Sequence, residues 1–270
     1  MDIYEIITNK IVEKLEKGVV PWRRPWNDAG LAVNWLTQRP YRGINALLLE
    51  PGEYATFRQI QLAGGKVKKG AKSEIIVFWK WIEKEDEETG ETISFPILRY
   101  YRVFEINTQC EGIQSKRKVV EYDHDPIEEA EKIILGYQNA PKYTFNSGRA
   151  YYQPLLDRIN VPPLKDFMKP EEYYSTFFHE MVHSTGHPSR LNRPGIKNIS
   201  KFGSESYSKE ELIAEMGSAF LCAVAKIDTS TIDNSASYVA GWLRALKNDK
   251  RLVVLAAAQA QKAVDYILGR

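Results

Sequence analysis

The chain has 270 residues, 43% of them apolar, with two cysteines and 37 basic against 35 acidic side chains, a net charge of +2. That is enough apolar material for one large or two ordinary cores, too little cysteine for a disulfide framework, and too even a charge to demand or exclude a nucleic-acid partner. No apolar run approaches the roughly 18 residues of a membrane span, and Asp2, Glu5, Glu13 and Glu16 are foreign to a signal peptide, so a reduced, cytoplasmic setting without membrane contact is expected.

Ile3, Ile6, Ile7, Ile11 and Leu15 recur at helical spacing and Gly18 follows as a stop, which predicts an amphipathic first helix. The next stretch, Val19-Val-Pro-Trp-Arg-Arg-Pro-Trp, has two prolines and reads as extended backbone. It would display Trp22, Arg23, Arg24 and Trp26, with Arg42 continuing the basic theme. A short helix over residues 56–63 stops at Gly64-Gly65. The lysines that follow, Lys66, Lys68, Lys69 and Lys72, approach a phosphate-loop pattern. Ala71 separates Gly70 from Lys72, however, and no strand precedes, so no nucleotide site is expected. Residues 73–82 and 92–106 are rich in β-branched and aromatic residues and predict a long hairpin with an acidic, solvated tip.

A polar stretch over residues 115–125 reads as a linker, after which Asp125-Pro126 opens a new helix. Residues 142–153 read as one or two strands ended by Pro154. Residues 187–207 form a long segment of Gly, Pro, Ser and Asn, serving either as a lid or as a quietly packed excursion. Two helices close the chain, near 234–247 and 249–268, the second rich in alanine for packing.

The chemistry concentrates in His179-Glu180-Met181-Val182-His183, an H-E-x-x-H pattern on a predicted helix. Histidines four apart share a helix face and can reach one ion. Zinc suits neutral imidazole, with manganese or cobalt as options, and Glu180 would take the proton of the attacking water. A third ligand is needed. His187 lies past Gly186, where the helix is expected to end. A second helix offers Glu211 and Glu215, with Ser208 and Glu211 forming an S-x-x-E capping box. That box gives Glu211 a structural task, so His179, His183 and Glu215 are the expected metal ligands, with Glu211 as runner-up. The small residues Gly217, Ser218 and Ala219 predict close approach of this helix to another.

Several segments together resemble the ArdC family of antirestriction proteins. They are Gly18-Val-Val-Pro-Trp-Arg-Arg-Pro-Trp, Tyr41-Arg-Gly-Ile-Asn-Ala-Leu-Leu-Leu, Tyr101-Arg-Val-Phe-Glu-Ile-Asn, the stretch from Tyr173 to Leu191 around H-E-x-x-H, Glu210-Glu-Leu-Ile-Ala-Glu and Ala240-Gly-Trp-Leu. The resemblance implies an N-terminal single-stranded-DNA-binding domain and a C-terminal zincin-like metallopeptidase domain; with the linker and the expected Glu215 ligand, an α+β protein of two domains is expected, 1–125 binding DNA and 126–270 of gluzincin type. The resemblance also implies protection of incoming plasmid DNA from host restriction during conjugation, with a host restriction component as a conceivable protein substrate. A related N-terminal domain occurs in plasmid primases. From the residues themselves, Trp22 and Trp26 would stack bases while Arg23, Arg24, Arg42, Lys66, Lys68 and Lys69 track phosphates. The competing readings are buried tryptophans, a DNA-binding shield with a purely structural metal, a peptidase whose first domain grips a protein, and a primase-associated accessory protein.

Overall fold

The computed structural model describes residues 2–17, 19–22, 31–85, 92–117, 126–197, 205–228 and 236–270. The chain divides into two compact units, residues 1–7 with 31–119 and residues 8–30 with 120–270. The expected boundary near residue 125 falls outside the described residues. The first domain expected from sequence is contiguous, whereas the described residues 8–17 and 19–22 group with the second unit.

In chain order the elements are α1 (Ile3–Glu16), β1 (Ala32–Asn34), α2 (Ile44–Leu48), β2 (Gly52–Thr56), α3 (Phe57–Leu62), β3 (Lys66–Val67), β4 (Glu74–Glu85), β5 (Thr92–Glu105), α4 (Ile106–Gln109) and β6 (Cys110–Glu111). Then follow α5 (Pro126–Gly136), β7 (Lys142–Thr144), β8 (Tyr151–Gln153), β9 (Arg158–Asn160), α6 (Pro170–Thr185), α7 (Pro194–Lys197), α8 (Glu205–Ala225), α9 (Ala236–Asn248) and α10 (Leu252–Ile267). No described helix is long and apolar enough to cross a membrane.

The first unit is built on a sheet of order β1-β2-β5-β4. β1 and β2 run parallel, and the other pairs are antiparallel. β2 meets only the last residues of β5, from Val103 to Glu105. β4 and β5 therefore run on together, from Glu74↔Val103 to Glu85↔Thr92, as a two-stranded ribbon. On one side Tyr41, Leu49, Tyr54, Ile76 and Val103 form a core cluster. Thr56 starts α3 through a capping box with Gln59, so the helix follows β2 without a loop. The outer edge of β4 is met by Asn45 of α2. Its side-chain amide donates to the Val77 carbonyl and its oxygen accepts from the Val77 N–H, both at 2.7 Å.

The second unit places α8 against both α6 and α10. On α10, Ala256, Ala257, Ala260 and Ala263 are buried, and their small volume lets the helices approach. A three-stranded sheet, β7-β9-β8, accompanies them. The α6–α8 contact is closest at Gly217, where an added Cβ would lie 2.7 and 2.9 Å from the two γ-methyls of Val182. Val182 has few χ1 choices on a helix, so it cannot swing aside. Gly217→Ala is therefore expected to destabilise the protein by about 1–3 kcal/mol through overpacking, although alanine favours a helix by about 1 kcal/mol. Urea denaturation should show this loss, and adding Val182→Ala should recover part of it. A Gly217→Ala protein more stable than the parent would mean that the helices sit further apart.

Candidate metal centre

Pro170 at the first helical position and Glu171 and Glu172 in the first turn start α6 as the sequence predicts. Its buried face carries Tyr173, Tyr174, Phe177, Phe178 and Met181, which anchor it in the core. That leaves His179 and His183 one turn apart on a face directed at α8. Their Nε2 atoms are 3.1 Å apart. The Glu211 carboxylate of α8 closes the group, with Oε1 3.4 Å from His183 Nε2 and Oε2 3.6 Å from His179 Nε2. Donors held about 2.0–2.2 Å from one tetrahedral ion lie about 3.4 Å apart, so these three fit a single divalent cation. Among the described residues, His179, His183 and Glu211 form the cluster with this convergence.

The arrangement reverses the expected roles of the two glutamates. Glu215 Oε1 lies 3.7 Å from His179 Nδ1, on the far side of the ring from the convergent nitrogens. Likewise Glu210 Oε1 lies 3.5 Å from His183 Nδ1. Each imidazole thus has a carboxylate near its outer nitrogen, though neither contact is a hydrogen bond and His183 Nδ1 has no hydrogen-bond partner among the described residues. The capping argument for Glu211 misleads because α8 begins at Glu205, so Ser208 lies inside the helix and not at its start. His187, as expected, is turned away: its Nδ1 pairs with Ser189 Oγ at 2.7 Å.

Sequence reading missed Glu210 and Arg193. Arg193, just before α7, is buried and donates Nε to both Glu210 carboxylate oxygens at 3.1 and 3.2 Å. Its Nη2 reaches Glu210 Oε1 at 2.5 Å and the Val182 carbonyl at 2.8 Å, and its Nη1 reaches Thr185 Oγ1 at 2.6 Å. Arginine therefore neutralises Glu210 and ties it to the end of α6. The only sequence signal was the adjacent pair Glu210-Glu211, which must point to different partners on one helix.

Electrostatics agree with a cation site. Burial alone lowers the pKa of both imidazoles, but the facing carboxylates outweigh it, raising His179 and taking His183 up to about 10. Burial pushes the Glu211 carboxyl up, and the two histidines overcome that and hold it far below the usual carboxylate range. Glu210 is lowered in the same way by His183 and Arg193. Glu211, Glu215 and Glu180 raise His179, and Glu210, Glu211 and Glu180 raise His183. Glu180 is itself buried.

Of the residues proposed for DNA contact, the structure buries Trp22 and exposes the basic ones it describes. Trp22 is 0% exposed and packs edge-on against Trp242, with ring centroids 5.1 Å apart. It belongs to the core of the second unit, and its face is not available to a base. Arg23, Arg24 and Trp26 lie outside the described residues. Arg42, Lys66, Lys68 and Lys69 are exposed. Lys66 pairs with Glu111 at 3.2 Å and Lys68 donates to the Thr108 carbonyl at 2.9 Å.

Comparison with known proteins places these observations in a family. Residues 1–104 match the N-terminal domain of anti-restriction factor ArdC, and residues 128–259 match the zincin-like metallopeptidase family MPTase-PolyVal. The protein y4eC of Sinorhizobium fredii is 31% identical over 98% of this chain and 91% of its own length. Two Escherichia coli proteins named DNA primase TraC are 32% and 33% identical over 98% of this chain, which spans only 20% and 27% of their lengths. The crystal structure of the metal-free antirestriction ArdC protein from plasmid R388 superposes with a TM-score of 0.79 at 37% identity, covering 99% of this chain and 97% of that one. Its Mn(II)-bound form gives 0.79 at 34% identity, covering 100% and 98%. The chain therefore belongs to the ArdC family of antirestriction proteins, with an ArdC N-terminal domain followed by a zincin-like domain.

Proposed function

We propose that this protein binds single-stranded DNA through its first unit, holds a divalent ion at His179, His183 and Glu211, and protects incoming plasmid DNA from host restriction. The observation that carries the metal part is the convergence of two Nε2 atoms and one carboxylate within 3.1–3.6 Å of one another. The Mn(II)-bound ArdC structure supports a divalent ion, and the imidazole–carboxylate donor set suits zinc or manganese. A bound ion of this kind supplies Lewis acidity toward a carbonyl and acidifies water. His179 and His183 hold it as neutral rings, with Glu215 and Glu210 near their outer nitrogens. Glu180 accepts the proton of an attacking water and passes it to the leaving amine. A peptide of a host restriction component is the substrate class this chemistry suits.

The primase relatives support a second role for the same chain, as a DNA-handling part of a larger replication protein, since nearly all of it recurs within them. Both roles need single-stranded DNA. The full chain should bind a labelled pyrimidine oligonucleotide more tightly than duplex of equal length in fluorescence anisotropy. Affinity should fall with salt by a log–log slope of about 0.7 per phosphate contacted. Glu180→Gln should leave that affinity unchanged, since it keeps shape and removes only proton transfer. Equal affinity for both DNA forms, or no response to salt, would remove the DNA part of the proposal.

A further inference from the structure

We propose that the surface engaging single-stranded DNA is one face of the β4–β5 ribbon, formed by Phe78, Lys80, Arg99 and Tyr101. This rests on the reading that the first unit binds single-stranded DNA.

Residues paired across antiparallel strands share a face, and the face alternates along each strand. The register Ile76↔Tyr101, Phe78↔Arg99 and Lys80↔Ile97 therefore puts these side chains on a single side. Ile76 is buried in the core cluster at the base. Beyond it the sheet narrows to two strands, and the described residues leave the next positions exposed. Phe78 is 48% exposed and Tyr101 49%, large values for rings. Their centroids are 5.9 Å apart at 70°, so the two rings brace each other edge to face. Lys80 and Arg99 are exposed, and neither makes a hydrogen bond or ion pair with another described residue. On the opposite face Trp79 is partly shielded by Tyr4, 6.4 Å away.

Rings interleaved with uncommitted cations on a ribbon match what an unpaired strand offers. Bases present flat faces that stack on aromatic side chains without sequence preference, and phosphates follow the charges. A duplex hides those faces, which supplies the discrimination against paired DNA. An apolar protein partner would be poorly served by Lys80 and Arg99 in the middle of its contact, because charges are depleted from the cores of such interfaces.

The test uses the full chain and a fluorescein-labelled oligothymidine. Phe78→Ala with Tyr101→Ala should weaken binding at least about tenfold while leaving the salt slope as in the parent. Lys80→Ala with Arg99→Ala should lower that slope by about 1.4, for two phosphate contacts. Phe78→Trp with Tyr101→Phe should keep parental affinity, since it preserves both rings. All these side chains are exposed, and an unchanged melting temperature shows that the fold is intact. If the parent binds and the double aromatic variant binds equally well, this surface is wrong while the DNA reading stands. If the parent itself fails to bind, the DNA reading fails. If the aromatic variant changes oligomeric state in gel filtration and not DNA affinity, the face belongs to a second copy of the chain and the proposal is overturned.

Discussion

Replacing Glu211 by alanine is expected to leave the protein unable to retain a divalent ion, whereas replacing Glu215 should weaken binding by about 10- to 100-fold. The reason is geometric. Glu211 reaches the inward Nε2 atoms of both histidines, so its loss reduces three donors to two. Glu215 faces only the outer nitrogen of His179. Competition against a chromogenic chelator with zinc and with manganese reads both effects on one scale. The ordering matters more than either value: a Glu215→Ala protein that binds no ion beside a Glu211→Ala protein that does would restore Glu215 as the ligand. His187→Ala should match the parent, since its ring is engaged with Ser189 away from the cluster.

The largest loss of stability should come from Arg193→Met. The guanidinium is buried and makes three contacts with Glu210, and it also satisfies the Val182 carbonyl and the Thr185 hydroxyl. Methionine keeps much of the volume and removes the charge, stranding a buried carboxylate, for which the cost is about 3–5 kcal/mol. The double change Arg193→Met with Glu210→Met removes both charges and should cost clearly less than the single one. Denaturant melts of the three proteins give the comparison. A single variant whose midpoint moves no further than that of the exposed pair Lys17–Glu13, 2.6 Å apart at the surface, would show that Glu210 finds another partner. The variant should also bind metal less well, because Glu210 stands behind His183.

The parts of this protein that sequence disclosed are those governed by local spacing. Histidines four apart on a helix share a face whatever surrounds them, so the position of His179 and His183 was readable. So was the long hairpin, from its run of β-branched and aromatic residues, and the small-residue patch at Gly217. What stayed hidden depends on how α6 and α8 are set against each other. Glu211 and Glu215 lie one turn apart on the same face, and only the rotation of α8 decides which meets the inner nitrogens. The cap signal at Ser208 pointed the wrong way because the chain enters the helix a turn earlier, at Glu205. Trp22 misled for a similar reason. Its flanking prolines argue for an extended, displayed segment, but its partner is Trp242, far along the chain, and a buried edge-to-face pair outweighs display. Conversely, Phe78 and Tyr101 looked like ordinary strand residues, because alternation cannot say where a sheet narrows and leaves one of its faces exposed.

The Asn45–Val77 pair has a bearing on how the molecule behaves in a crowded solution. β4 is the last strand of its sheet, and a long terminal strand rich in aromatics is a template on which another chain can add a strand of its own. By occupying both the N–H and the carbonyl of Val77, Asn45 imitates one residue of that missing neighbour. An incoming strand meets a plug in its ladder and cannot zip along the edge past it. The protein can thereby leave its rings uncovered without inviting its own copies to fibrillate upon it.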